Sequence, residues 1–207
     1  MQILLLCTAN QCRSPMAQVL LVQHLARRGL TAGVESAGFR AAGRPAAPHA
    51  RTVMEDRGLT LSGHVSRTAT ASMLRGADLV LTMERRHVPS AVSLEHACWP
   101  VCFSLGELLV RASAAGPRAD GQSLPEWLAA VHAERRPSDL VRDTGTGDVA
   151  DPIGRPLRSF RETARRLDVA LGRLVDLAAP RAVAEPPRAQ PRRRSRLAGR
   201  HGTLHRR

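Results

Sequence analysis

The chain has no lysine and no tyrosine, so all 31 basic residues are arginine, a uniform preference that reflects genome composition rather than design. Aromatic residues make up only 2% of the 207 positions. Base stacking has little to work with, and any contact of the tail with nucleic acid would be electrostatic and salt-sensitive. No apolar run approaches the length of a membrane-crossing helix, and no basic segment precedes the short hydrophobic run at the N-terminus. Neither a membrane span nor a secretory signal is therefore expected. Four cysteines are too few for a disulfide scaffold at this length. A cytoplasmic protein without membrane partners is the expectation; composition leaves its oligomeric state open.

What the chain has in excess is positive charge, a formal +13, and it is unevenly placed. Residues 180–207 carry nine Arg against one Glu, with Pro180, Pro186, Pro187 and Pro191 among them. Few apolar residues and no periodicity make residues 179–207 read as a disordered basic tail. Such a tail is either solvated with no dedicated role or a weak binder of polyanions. Residues 1–178 are enough for one domain with a sizeable core.

The first twenty residues organise that domain. Ile3-Leu4-Leu5-Leu6 is a short unbroken apolar run, the pattern of a strand buried on both faces. Ser14 suits an N-cap and Pro15 a first helical position, and the apolar segment from Met16 to Ala26 stops at Gly29. Cys7 thus stands where a strand turns into a helix. Free backbone amides and the helix dipole favour an anion there, and a neighbouring cation strengthens the effect. A cysteine so placed becomes acidic enough to be a thiolate at neutral pH. Arg13 supplies the cation, and its planar fork can grip two oxygens of a tetrahedral oxyanion. Cys12, Cys98 and Cys102 have no Arg six positions on. Taken alone, the loop reads equally well as an ordinary buried strand-end Cys.

Cys7-Thr8-Ala9-Asn10-Gln11-Cys12-Arg13-Ser14-Pro15 resembles the active-site loop of the low-molecular-weight protein tyrosine phosphatase family, in its bacterial form. Ser36-Ala37-Gly38, Gly63-His64-Val65-Ser66-Arg67 and Asp151-Pro152 match in order, so the resemblance spans about residues 1–178. It implies that Cys7 is the nucleophile, Arg13 the phosphate clamp and Asp151 the general acid and base. Thr8, Ala9, Asn10, Gln11, Cys12 and Ser14 complete the phosphate-binding loop, with Ser14 steadying the thiolate. Asn10 would hold a left-handed backbone conformation, supported by Ser36 and His64. The family needs no metal and no cofactor, and a phosphorylated protein is the implied partner.

Along the chain, Val34 to Gly38 reads as a second strand, Ala50 to Arg57 as a helix stopped by Gly58, and Ala71 to Arg75 as a helical turn or two. Asp78 to Thr82 is a third strand. Ala97 to Phe103 reads as a fourth, and Pro100 within it argues for a sheet edge. That edge fits an α/β fold: a small doubly wound sheet of four parallel strands, order 2-1-3-4, flanked by helices. Its ligand site would lie beyond the carboxyl end of strand 1. Residues 104–137 look like a helical insert, one helix from Leu105 to Arg111 and a second opened by the capping box Ser123-Leu124-Pro125-Glu126 and running to about Arg136. The insert is either a packing element or lid, or a substrate-facing addition. Asp139, Asp143, Asp148 and Asp151 fall in the loop that follows. Leu157 to Ala178 then carries an apolar stripe at three and four, closed by Pro180.

The expected chemistry is hydrolysis of a phosphoprotein through a phosphocysteine, with phosphotyrosine the first expectation. Gln11 departs from the resemblance: tyrosine-directed members usually have an aliphatic residue there and arginine-directed members Thr. The animal members' substrate-flanking Trp is also missing from residues 39–48, which have Phe39. Three alternatives stand beside this reading: a protein-arginine phosphatase of the same fold, a thiol-linked arsenate reductase using Cys98 and Cys102 as relay, and a non-catalytic anion-binding module. A zinc site at His96, Cys98 and Cys102 matches no common spacing.

Overall fold

The computed structural model describes residues 1–140 and 147–179. Asp143 and the basic tail lie outside the described residues, apart from Ala179.

Strand β1 (Gln2–Cys7) is the centre of the sheet. It pairs in parallel with β2 (Gly33–Gly38) on one side, Cys7 opposite Gly38, and with β3 (Leu79–Thr82) on the other, Leu6 opposite Thr82. A short β4 (Cys102–Ser104) pairs in parallel with β3, and the order is β2-β1-β3-β4, as expected. The alternation of β1 explains its unbroken apolar run. Ile3, Leu5 and Cys7 enter one core, while Leu4 and Leu6 enter the other.

The first face is covered chiefly by α1 (Arg13–Arg27), α2 (Pro48–Glu55), α5 (Leu105–Ala115), α6 (Leu124–His132) and α7 (Leu157–Ala178). The stripe on α7 buries Phe160, Ala164, Leu167, Leu171 and Leu174. Gly172 lies so close to α1 that a Cβ there would meet the His24 ring at 3.0 Å. Helices α3 (Ala71–Arg75) and α4 (His87–Leu94) cover the other face. Since α1 and α4 leave neighbouring strands on opposite faces, the crevice at the carboxyl ends of β1 and β3 is the switch point of the fold.

Several local expectations need correction. Helix α1 starts at Arg13 with Cys12 as N-cap, so Ser14 does not cap it and Pro15 is its third residue. The loop itself supplies the helix start, and Pro is tolerated anywhere in a first turn whose amides lack helical partners. The fourth strand is only three residues, because Pro100 sits in a 3-10 turn, His96–Val101, that leads into it. Helix α4 has Pro89 in its first turn and was not expected from the pattern. The first helix of the insert runs on to Ala115, capped by Ser104, the last residue of β4. The second keeps its capping box but ends at His132.

Candidate active site

Cys7 is the last residue of β1, and the chain then turns through Thr8–Cys12 before α1 begins. Asn10 makes that turn possible. It is the one non-glycine residue among those described with positive φ, 52°, in the left-handed region that asparagine tolerates better than most residues. Its buried side chain uses both of its donors and its carbonyl oxygen. Nδ2 donates to Ser14 Oγ and Ser36 Oγ at 2.9 Å each, and Oδ1 accepts from the Arg67 amide at 2.8 Å. Its carbonyl is held at 2.6 Å by His64 Nε2. Ser36 passes its own proton to Gln18 Oε1 at 2.7 Å. Two of the segments that the resemblance singled out, Ser36-Ala37-Gly38 and Gly63 to Arg67, therefore converge on one residue of the loop, while Asp151-Pro152 meets the site through Arg13 instead.

Gly38 explains the Ser-Ala-Gly segment. A Cβ there would meet Asn10 N at 2.8 Å and the Ala9 carbonyl carbon at 2.9 Å, so the loop rests on bare β2 backbone. Phe39 N donates to Thr8 O at 2.9 Å and Ala47 N to Gln11 O at 2.7 Å. Among the described residues, the amides of Ala9, Asn10, Gln11 and Cys12 donate to no protein acceptor.

Ser14 Oγ accepts from Asn10 Nδ2 and has two acceptors within reach of its one proton, Cys7 Sγ at 3.0 Å and, more distant, the Ala37 carbonyl at 3.4 Å. Cys12 faces inward at 2% exposure, and burial, with Cys7 beside it, pushes its thiol well above the ordinary cysteine range.

Arg13 is 1% exposed. Its Nη1 donates to Glu84, at the carboxyl end of β3, and to Val149 O at 3.0 Å; its Nη2 donates to Thr8 Oγ1 at 3.1 Å and Asp151 Oδ2 at 2.6 Å. Its Nε is buried with no partner among the described residues. Burial works against the charge of Glu84, but hydrogen bonds from Arg86 and Arg13 outweigh it and hold the carboxyl near 2. Glu84 is thus a fixed anion on the outer nitrogen of the guanidinium. Sequence reading missed it, although a residue just past the carboxyl end of a central strand is where a site is expected.

The acidic loop separates its carboxylates. Asp151 pairs with Arg13 and is exposed, whereas Asp148 accepts from the Arg85 amide at 2.7 Å. His87, also missed, is buried at the start of α4 with Nε2 3.2 Å from Thr8 Oγ1, and it stacks on Phe39. Burial lowers its pKa to about 4, so it is neutral.

Cys98 and Cys102 share a hydrogen bond in the 3-10 turn and at the start of β4. Cys102 is level with Val80 and hence with Leu4, three residues short of Cys7 along β1. At about 3.3 Å per residue and 4.8 Å per strand, that puts it roughly 14 Å from Cys7, too far for a direct thiol relay.

Few chemistries need a thiol and a fixed guanidinium on one amide-lined turn of backbone. The fold and site define a cysteine-based phosphatase, a phosphoric monoester hydrolase. Residues 2–100 match the model of the family described as low molecular weight phosphotyrosine protein phosphatase. Over 107 residues the chain is 41% identical to the "Probable low molecular weight protein-tyrosine-phosphatase EpsP" of Ralstonia nicotianae, covering 51% of this chain and 71% of that one. It is 29% identical over 175 residues to the protein-arginine-phosphatase of Bacillus subtilis, 84% of this chain and 94% of the relative. The solved structure of the low molecular weight protein tyrosine phosphatase from T. tengcongensis superposes with a TM-score of 0.64 at 29% identity, covering 84% of this chain and 97% of that one. The chain belongs to the low molecular weight protein tyrosine phosphatase family.

Proposed function

We propose that the chain hydrolyses a phosphorylated protein, with phosphotyrosine as the substrate group, through a phosphocysteine on Cys7. The observation that carries this is the pairing of Cys7 with the Ser14 hydroxyl on a loop whose amides and Arg13 Nε are left for an anion. The Cys7 thiolate attacks phosphorus in line with the ester oxygen. The loop amides and Arg13 hold the equatorial oxygens and the charge that develops on them. Asp151, released from Arg13 as the phosphoryl group takes the guanidinium, picks up a proton from solvent and gives it to the leaving oxygen. As a carboxylate it then takes a proton from the water that attacks the phosphocysteine, and phosphate leaves with Cys7 restored as thiolate. Ser14 steadies the sulfur, while Asn10, Ser36 and His64 keep the loop shaped.

The side chain of Ile153 is exposed two residues past Asp151 and offers an apolar face to a substrate ring. The arginine-directed reading keeps one observation in its favour, the match to a protein-arginine-phosphatase over 84% of the chain. Phosphate release from phosphotyrosine, phosphoarginine and phosphoserine peptides, with arsenate reduction run beside it, separates these readings. Phosphotyrosine should turn over fastest; a preference for phosphoarginine would reassign the substrate, and arsenate reduction without phosphatase activity would overturn the reaction.

A catalytic thiol requires reducing surroundings, which supports a cytoplasmic location; among the described residues no helix is long and apolar enough to cross a membrane. Cys12 beside Cys7 supports reversible oxidation. Peroxide would convert Cys7 to a sulfenic acid, which condenses with the Cys12 thiol to a disulfide and water. Activity lost to peroxide should then return with added thiol, and permanent loss would reject the idea.

A further inference from the structure

The residues after β3 do more than hold Arg13. Met83 O accepts from Val149 N at 2.9 Å, Glu84 takes the Arg13 guanidinium, and the Arg85 amide donates to Asp148 Oδ1 at 2.7 Å. Three consecutive residues therefore span from the phosphate loop to the segment that carries Asp151. The side chain of Arg85 reaches further: it is buried, and its Nη2 donates to the carbonyl of Asp139. Its Nη1 donates to Glu107 at 2.6 Å.

Glu107 lies in the first turn of α5, in the helical segment that follows β4, and it gathers arginines. Arg85, Arg111 and Arg135 all lie within 3.3 Å of its carboxylate. Arg135 in turn is fixed between rings, its guanidinium carbon 3.5 Å from the Trp99 centroid and 4.2 Å from that of Phe103, and Nη1 donates to Trp99 O at 3.0 Å. A second contact joins the same turn to the acid loop without any charge. A Cβ on Gly106 would meet Gly147 O at 2.6 Å and its Cα at 2.7 Å, so backbone lies directly on backbone four residues before Asp151.

We propose that Arg85 and Glu107, with Gly106 beside them, are positioning residues that set where Asp151 stands. The helical segment after β4 then acts on the reaction as a buttress of the acid loop, not as a lid over the substrate. The side chains of Arg85 and Glu107 do not reach the phosphate loop; they bear on the site through the acid segment, whose Val149 O also accepts from Arg13. The inference rests on Asp151 being the general acid.

The test is made on the full chain by following phosphoryl transfer to Cys7 in a single turnover, with phenyl phosphate and with nitrophenyl phosphate. Phenolate needs a proton to leave and nitrophenolate hardly does, so the ratio of the two rates reports proton delivery. Asp151→Asn sets the scale of the ratio change. Glu107→Gln should lower the phenyl-to-nitrophenyl ratio by about tenfold, the order expected for a catalytic group displaced by a fraction of an ångström. Gly106→Ala keeps every charge and suits a helical first turn, yet pushes on Gly147, and it should lower the ratio in the same way. If Glu107→Gln fails to fold, Gly106→Ala decides alone. An unchanged ratio in folded Gly106→Ala, or a parallel loss on both substrates, overturns the proposal while Asp151→Asn still lowers the ratio. A ratio that Asp151→Asn leaves untouched removes the acid assignment, and the positioning role with it.

Discussion

The turn that carries Cys7 is gripped from several directions by hydrogen bonds that meet on buried Asn10, with Ser14, Ser36, His64 and the Arg67 amide as partners. The segment that carries Asp151 touches the rest of the site through charge and a few backbone contacts: Arg13 on Asp151 and Val149 O, Met83 O on Val149 N, the Arg85 amide on Asp148. On the proposed mechanism the first arrangement fixes the nucleophile before substrate arrives. The second would let the Asp151 carboxyl group exchange Arg13 for the leaving oxygen, to which it brings a proton, while the backbone beneath it stays in place. Damage to the loop should therefore cost stability and rate together, and damage to Asp151 should cost rate alone.

The largest effect that sharpens this contrast is on rate. Asp151→Asn should slow phosphoryl transfer from phenyl phosphate by about 10²–10⁴-fold with little change in unfolding free energy, while Asp148→Asn keeps the leaving-group dependence of the natural protein. Single-turnover rates across leaving groups check both; a steep dependence appearing only in Asp148→Asn would move the assignment to Asp148. Next comes Asn10→Ala, which strands the Arg67 amide and forces alanine into the left-handed region. It should lower stability by about 2–4 kcal/mol and reduce turnover as well, as urea unfolding and steady-state rates would show.

A smaller effect lies in pH. The pKa of His87 falls from an ordinary 6.5 to about 4 in the folded chain because burial disfavours its charge, so the unfolded chain binds a proton that the folded one refuses. Stability is complete above about 6.5 and is lost as pH falls from there toward 4, by on the order of 2–3 kcal/mol. Unfolding free energies between pH 7 and 4 should lose that part of their slope in His87→Gln, and an unchanged slope would place the proton elsewhere. The smallest effect belongs to the tail: deleting residues 180–207 should leave turnover of aryl phosphates unchanged and weaken binding to polyanions in a salt-dependent way.

The same contrast explains what could be read from the chain beforehand. Cys7, Arg13 and Asn10 lie within seven residues of one another, so spacing and local backbone rules reach them, and the apolar runs of β1 and β3 show the sheet directly. The stripe on α7 is equally plain. Glu84, His87, Arg85 and Glu107 are scattered polar residues whose roles come from where the sheet ends and what folds back over it, and no periodicity marks such residues. Pro100 points to the sheet edge, where β4 does lie, but it belongs to the 3-10 turn before the strand and so shortens β4 to three residues. His64 carries no signal in composition or periodicity; the resemblance alone implies a supporting role for it, and the fold brings its ring to the Asn10 carbonyl.

The central claim, that Cys7 carries the phosphoryl group between two half-reactions, is tested most directly by acid quench of the full chain during turnover, followed by peptide mass mapping. One phosphoryl group should appear on the peptide containing Cys7, build up further in Asp151→Asn with nitrophenyl phosphate as substrate, and be absent after Cys7→Ala. Phosphate released with no phosphorylated Cys7 peptide at any quench time, or a phosphoryl group found on another residue while Cys7→Ala still turns over, would contradict it.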